Sequence, residues 1–503
     1  MNEPRNARKA AALRRALALI IALLVLTAGA LPVFAEGEEP AQAQRLHLEI
    51  NGAYTPVKSN YLGENVNPLT DSSFRTEAVV HGSITLSAPA AVSTLYIVFA
   101  DTPATFYVKS GDKRVDVAAN YLELPVDVSA LNSRELTLFF PDKVNVCDVY
   151  AFAAGELPAW VQRWDPPCEK ADLLLISTHA DDEQLFFAGV LPYYTSRGDC
   201  EVQVAYFTDH TNRPHRRHEL LKGLWAVGVR HYPVIGDIPD AYSETEAQAV
   251  KNLKAAGMSR EDALLQQIRV IRRFKPQVVV SHDPKGEYGH GQHMLCAATL
   301  LEAAPLAADA ESDPVSVSQY GAWDVPKIYL HSYEENPIVM NWDEPLEAFG
   351  GKTAFQVSQE GFMCHLSQTN SWFRDWIFGK NKEITKASEI TTYSPCNYGL
   401  ARTTVGEDVN KNDFLENITT YSEQARLEAE AEAKRIAEEQ AAAEAAEQAK
   451  KETERESAEA EASHRRVMLA LAITAACLTV LTVASYAARR VFEKRAEKKR
   501  SGK

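Results

Sequence analysis

Asp172 to Ser177 reads DLLLIS, an apolar run that breaks at once into Thr178-His179-Ala180-Asp181-Asp182-Glu183. A strand without polar alternation is buried on both faces, as in a parallel sheet covered by helices. The pattern recurs downstream. Val202–Phe207, Gln277–Ser281 and Lys327–His331 read as strands, whereas Glu183 to about Ser196, His218–Val227, Ala263–Arg273 and Met294–Ala303 carry helical spacing. Strands alternating with helices predict an α/β domain with a parallel sheet. Ligands in such sheets bind outside the carboxyl ends of the strands, so chemistry is expected just after Ser177 and just after Ser281.

Both places are loaded. The first strand runs into one imidazole and three acids. The second runs into His282-Asp283-Pro284-Lys285-Gly286-Glu287-Tyr288-Gly289-His290-Gly291-Gln292-His293, which opens a helix. His290 and His293 are three apart, so on a helix they share a face. Two imidazoles and a carboxylate around an open position suit a catalytic zinc, and the spare acid and histidine suit an acid–base pair. Acids at a helix start are also favoured by the helix dipole alone, and an H-x-x-H alone is a weak signal. The two clusters together, at strand ends of one domain, favour chemistry.

Upstream the pattern is different. Residues 46–160 hold short runs such as Leu46–Ile50, Thr94–Phe99, Phe106–Lys109 and Leu136–Phe140 between Gly, Asp, Asn and Pro turns, which predicts a small β-sandwich domain. A carbohydrate-binding-like module and a plain packing domain both fit. Trp164-Asp165-Pro166-Pro167 reads as a linker to an α/β domain over 170–420.

The two ends of the 503-residue chain predict its topology. A basic start, an apolar run from Ala16 to about Pro32 and Val33-Phe34-Ala35 read as a signal peptide over 1–35, cut after Ala35. Val467 to Ala488 (467–488) carries no charge for 22 residues, enough to span a bilayer as a helix. The heavier basic cluster follows it, so the tail 489–503 is expected in the cytoplasm and the folded part outside. Residues 423–463, rich in Ala and Glu and free of Gly and Pro, read as a helical stalk with only a weak coiled-coil seam for self-association, since Leu427 and Ile436 are its large apolar residues. Of the formal charge of −15, the two ends contribute about +4 and +6, so the middle carries about −25, which repels phosphate backbones and excludes nucleic acid as a partner. Seven cysteines without a C-x-x-C pair exclude zinc ribbons and thioredoxin-type centres; Cys147–Cys168 and Cys364–Cys396 are the local disulfides an oxidising compartment would permit, beside isolated thiols.

LLISTHADDE (174–183) with GEYGHGQH (286–293) resembles the PIG-L/LmbE family of zinc-dependent N-deacetylases, over about 170–335 and more loosely to 420. The resemblance implies a Rossmann-like fold and hydrolysis of the N-acetyl group of an N-acetylglucosamine-type sugar. It implies His179, Asp182 and His293 as metal ligands and Asp181 as the general base. It also implies His290 as the histidine facing the oxyanion or the departing amine, and Tyr288 as a group polarising the acetyl carbonyl. A zinc ion there acidifies water and polarises the amide; Fe²⁺ or Co²⁺ also suits such a donor set. Arg216, in an R-x-x-E pair with Glu219, and Asp240 are candidate substrate-binding residues, and His365 with Ser367 and Gln368 is a candidate for the cleft lining. Cys296, one turn past His293, reads as packing, and Arg213–His218 as a solvated basic face. Two residues depart from the family pattern: Ala180 stands where Pro is usual, and His290-Gly291-Gln292-His293 stands where H-P-D-H is frequent. Neither removes a ligand or the base.

No nucleophile elbow, Walker loop or dinucleotide fingerprint opens a helix. The expectation is a membrane-anchored, extracytoplasmic N-deacetylase whose partner is a glycan or glycolipid containing N-acetylglucosamine. The alternative is an inactive surface carbohydrate-binding protein on the same scaffold.

Overall fold

The computed structural model describes residues 41–210, 213–500 and 502; the expected signal peptide lies outside them. Up to Tyr421 the chain forms one compact unit, and Ser422 onward another.

The first eight strands are β1 (Arg45–Leu46), β2 (Glu49–Pro56), β3 (Ala78–Val92), β4 (Thr94–Phe99), β5 (Phe106–Ser110), β6 (Lys113–Val117), β7 (Glu123–Asp127) and β8 (Ser133–Phe152). All pair antiparallel. They form one hydrogen-bonded network, because the 20-residue β8 bonds to β3, β4, β5 and β1 along its length. Alternate residues such as Ile84, Leu86, Leu95, Ile97, Leu136 and Leu138 meet in a single core.

The second sheet holds β9 (Leu173–Ser177), β10 (Val202–Thr208), β11 (Val234–Ile238), β12 (Val278–Ser281), β13 (Lys327–His331), β14 (Pro337–Val339) and β17 (Asn397–Thr403), in the order β11-β10-β9-β12-β13-β17-β14. The short β15 (Pro345–Leu346) and β16 (Lys352–Thr353) pair apart from it. The first five strands in that order are parallel, but β17 is antiparallel to β13 and β14, so the sheet is mixed rather than wholly parallel. Its apolar strands feed two cores. Leu173 and Leu175 of β9 pack on one face with the helices His215–Ala226 and Ala354–Phe362. Leu174 and Ile176 pack on the other with Arg260–Phe274 and Gly291–Ala308. This two-sided burial is why the strands lack polar alternation.

The helix expected over Glu183 to Ser196 is shorter. Asp182–Gln184 forms a single 3₁₀ turn and the α-helix begins only at Val190. The break sits at Gly189, whose φ is +98° and whose Cα lies against Trp342, so close that a side chain there would strike the indole. The helix Arg260–Phe274 is sharply bounded, by a Ser259–Asp262 capping box at its start and left-handed Lys275 at its end.

All seven cysteines are free, so neither of the two permitted disulfides forms. Tyr421–Arg500 is one continuous helix of 80 residues with no buried residue, about 120 Å long at 1.5 Å per residue. It is long and apolar enough to cross a membrane.

Candidate active site

The carboxyl ends of the parallel strands converge. After β9 come His179, Asp181 and Asp182; after β10, Arg216; after β11, Asp240; after β12, Tyr288, His290 and His293. All but His293 line one cleft of about 380 Å³, joined by Arg213, Tyr242, Gln368 and Phe373. His293 lies fully buried at its base.

Three donor atoms form a near-equilateral triangle. His179 Nδ1 is 3.2 Å from Asp182 Oδ2 and 3.1 Å from His293 Nε2, and the latter is 3.2 Å from Asp182 Oδ2. The edge of a tetrahedron with bonds of about 2.0–2.1 Å is about 3.3 Å, so the triangle is the right size for zinc. The far nitrogens of both rings are held. Gln292 donates through Nε2 to Pro239 O (2.8 Å), which turns its Oε1 to accept from His179 Nε2 at 3.1 Å. Glu287 Oε2 accepts from His293 Nδ1 at 2.6 Å. Each imidazole therefore presents a lone pair to the triangle, as a metal ligand must. Burial alone would push the His293 imidazole down, but the Asp182 and Glu287 carboxylates raise it to about 10, so the surroundings favour positive charge at this spot. The donor set fits a divalent cation.

Two nearby histidines have other tasks. His282 lies 3.6 Å from Asp182 Oδ2 through Nε2, but that nitrogen accepts from Thr178 N–H at 2.8 Å while Nδ1 donates to Glu287 Oε2 at 2.9 Å. Neither nitrogen is left for a metal. His290 caps the helix Gly291–Ala308, its Nδ1 accepting from Gln292 N–H at 3.2 Å. Burial and the neighbouring His179 and His293 push His290 down to about 2. With Nδ1 accepting from Gln292 N–H, Nε2 is the nitrogen left to donate into the cleft.

Asp181 sits beside the triangle in a conformation few residues adopt, φ +118° and ψ −30°. It is held there by its N–H donating to Glu183 Oε2 at 2.9 Å and by Arg216 Nη2, 3.0 Å from Oδ1. Burial raises the Asp181 carboxyl, Arg216 opposes, and the Asp182 charge adds, leaving it at about 7. That suits a general base at neutral pH. Burial keeps the Tyr288 hydroxyl protonated by pushing its pKa up.

The softer expectations divide. Asp240 lines the cleft, its Oδ1 3.7 Å from His179 Nε2, and Gln368 lines it too. Arg216 reaches the cleft, but its Nη atoms are taken by Asp181, Ala180 O and Asp240 Oδ2 (3.4 Å), so it positions carboxylates rather than offering a free guanidinium. His365 does not line the cleft. It is fully buried, with Nε2 2.8 Å from Glu183 Oε1, and supports the residue that holds Asp181. Ser367 is turned away to Glu219. The Arg213–His218 run is not a solvated face either, since Arg216 and His218 are buried and His218 Nδ1 lies 3.2 Å from Glu123 Oε1. Cys296 packs against Gln267 and Ser281, as expected.

Reading the sequence missed the residue that organises the base of the site. Buried Glu287 accepts from His282, His293, His331 Nδ1 (2.8 Å) and Asp283 N–H (3.1 Å). Burial would raise its pKa, but the His282 and His293 imidazoles hold it well below the usual carboxylate range. An acid inside a histidine-rich motif was the available signal; His331, 44 residues away in sequence, gave none.

Residues 174–304, which include both motifs, match the PIG-L family, described as GlcNAc-PI de-N-acetylase. A 1D-myo-inositol 2-acetamido-2-deoxy-alpha-D-glucopyranoside deacetylase of Streptomyces scabiei is 28% identical over 193 residues, 34% of this chain and 58% of that protein. A protein of the same description from Catenulispora acidiphila is 29% identical over 194 residues, 34% and 59% of the two chains. The chain thus spans just under three-fifths of the length of these relatives. Among solved structures, the N,N'-diacetylchitobiose deacetylase of Pyrococcus horikoshii aligns with 46% of this chain and 85% of its own at 15% identity, with a TM-score of 0.33.

Proposed function

We propose that the chain, whose residues 174–304 match the PIG-L family, is a metal-dependent N-deacetylase that hydrolyses the acetamido group of an N-acetylglucosamine-type sugar. The observation that carries this reading is the triangle of His179, Asp182 and His293 with Asp181 set beside it on the cleft wall. These three residues would hold the metal, zinc being the ion their spacing suits best. When bound, it supplies Lewis-acid polarisation of the acetyl carbonyl and a more acidic water.

The chain's own residues do the rest. Asp181, at about 7 and pinned by Arg216, takes a proton from the attacking water as the new C–O bond forms. His290 donates from Nε2 to the developing oxyanion, and the Tyr288 hydroxyl donates alongside it. As the C–N bond breaks, the proton held by Asp181 passes to the departing amine, giving acetate and a free glucosamine. Asp240 and Gln368, on the cleft wall, bind sugar hydroxyls.

The same reading places the catalytic unit outside the membrane. The uncharged stretch Val467–Ala488 of the long helix is followed by Arg489, Arg490, Lys494, Arg495, Lys498, Lys499 and Arg500, which favours a cytoplasmic tail. Protease added to intact cells should then remove the folded part and spare the tail.

Acetate release by the zinc-loaded full chain in detergent, on N-acetylglucosamine and its glycosides, tests the activity. Turnover by the wild type with at least a hundredfold loss in Asp181→Ala is expected. One bound zinc per chain with no acetate from any of these sugars would sink the reading.

A further inference from the structure

Four rings stand in a row, three of them in the cleft wall and the fourth, Trp372, beside Phe373 of that wall. Tyr242 stands edge-on to His290 at 5.2 Å, His290 edge-on to Tyr288 at 5.5 Å, and Tyr288 edge-on to Trp372 at 5.6 Å. Phe373 backs the last of these, 4.3 Å from the Trp372 ring. The two inner rings belong to the reaction centre proposed above. The two outer ones pack edge-on against it and are otherwise left in water: Tyr242 is 63% exposed and Trp372 48%. Large aromatic faces exposed on the rim of a polar cleft mark a binding surface rather than a core. They flank the reaction centre on either side, one before and one after His290 in the row.

The backbone agrees with this placement. Tyr421, the last residue of the folded unit, donates from N–H to Asp172 Oδ1 at 2.7 Å and from its hydroxyl to Lys275 O at 2.6 Å. Both partners precede their strands, β9 and β12, whereas the catalytic residues follow them. The chain therefore leaves the unit at the end of the parallel strands opposite the cleft.

We infer that the Tyr242 and Trp372 rings are stacking platforms for the sugar units on either side of the one being deacetylated, so that the substrate is an extended N-acetylated glycan chain rather than a single sugar or a lipid headgroup. The inference rests on the deacetylase reading and adds its substrate class. The apolar C–H face of a pyranose lies flat on an aromatic ring, and each ring that a neighbouring sugar covers contributes binding without touching the reacting amide. Such remote binding energy raises kcat/KM with chain length.

The test uses the zinc-loaded full chain with β-1,4-linked N-acetylglucosamine oligomers of one to six units. At least a tenfold rise in kcat/KM from monomer to tetramer is expected, falling below threefold in Trp372→Ala and in Tyr242→Ala. Trp160→Phe, at a comparably exposed tryptophan outside the cleft, should keep the rise. Equal kcat/KM for monomer and tetramer, or a preference for an N-acetylglucosamine glycolipid in vesicles over the tetramer, would overturn the platform while leaving the deacetylase standing. Absence of acetate from every sugar would overturn the deacetylase instead. Calorimetric titration with the tetramer then decides the platform alone: affinity at least tenfold weaker in Trp372→Ala supports it, and unchanged affinity overturns it.

Discussion

Arg75, from the antiparallel domain, donates through Nη2 to Glu219 Oε1 at 2.8 Å, and Glu219 has no exposed surface. The same carboxylate accepts Ser367 N–H at 3.0 Å and Ser367 Oγ–H at 2.5 Å, one residue from Gln368 in the cleft wall. It also lies on the helix that carries Arg216. The antiparallel domain thus fastens the helix and loop that shape the site, alongside the Arg217–Asp101 pair at 2.8 Å. Arg75→Met leaves a buried carboxylate without its cation and should cost about 2–4 kcal/mol, read as an earlier unfolding transition in denaturant. Arg75→Lys should cost clearly less, and equal losses would show that charge is not what Glu219 needs.

Asp181→Asn separates base from ligand. The amide fits the same space and tolerates the left-handed backbone, but it cannot take a proton. Activity should fall by about 10²–10⁴ while zinc stoichiometry stays at one per chain. Loss of zinc together with activity would make Asp181 a ligand and reassign the triangle.

Glu287→Gln addresses the layer beneath the ligands. An amide cannot accept from His282, His293 and His331 together, so the His293 ring loses its fixed tautomer. Zinc affinity should drop about 10–100-fold in competition with a chelator. Removal of the metal from the wild type by the same chelator should abolish acetate release, and added zinc should restore it.

The parts of this arrangement that composition encodes were legible, and the parts that depend on long-range closure were not. DLLLIS announced a doubly buried strand because every residue in it packs. VIGDI (234–238) and NYGLART (397–403) also form strands, but both sit toward a sheet edge, where Gly, Asn, Asp and Arg are tolerated and blur the pattern. The cluster of His179, Asp181, Asp182, His290 and His293 could be read because each motif is local and lies at a strand end. His365 was misplaced because a histidine buried against Glu183 and one facing a substrate look alike in sequence. Glu287 was passed over because its worth lies in partners drawn from three separate segments.

Asp148 gives the antiparallel domain a pH dependence independent of the cleft. It is 1% exposed, on β8, with its Oδ1 accepting Ser72 N–H at 3.0 Å. Burial raises its pKa to about 7; the Ser72 hydrogen bond opposes the rise and the Asp71 charge adds to it. An unfolded aspartate titrates near 4, so the folded state holds a proton that the unfolded state releases between about pH 4 and 7. The stabilisation is therefore complete below about pH 4 and is lost as the pH climbs through 7. Asp148→Asn mimics the protonated form and still accepts from Ser72. The wild type should lose stability between pH 5 and 8, on the order of 2–4 kcal/mol by this route, and the variant should not. The two unfolding midpoints should nearly coincide below about pH 4, with the variant already higher at pH 5 and higher still at pH 8. A variant less stable than the wild type at pH 8 would mean that Asp148 is folded as a charged acceptor, paired with Arg45 rather than protonated.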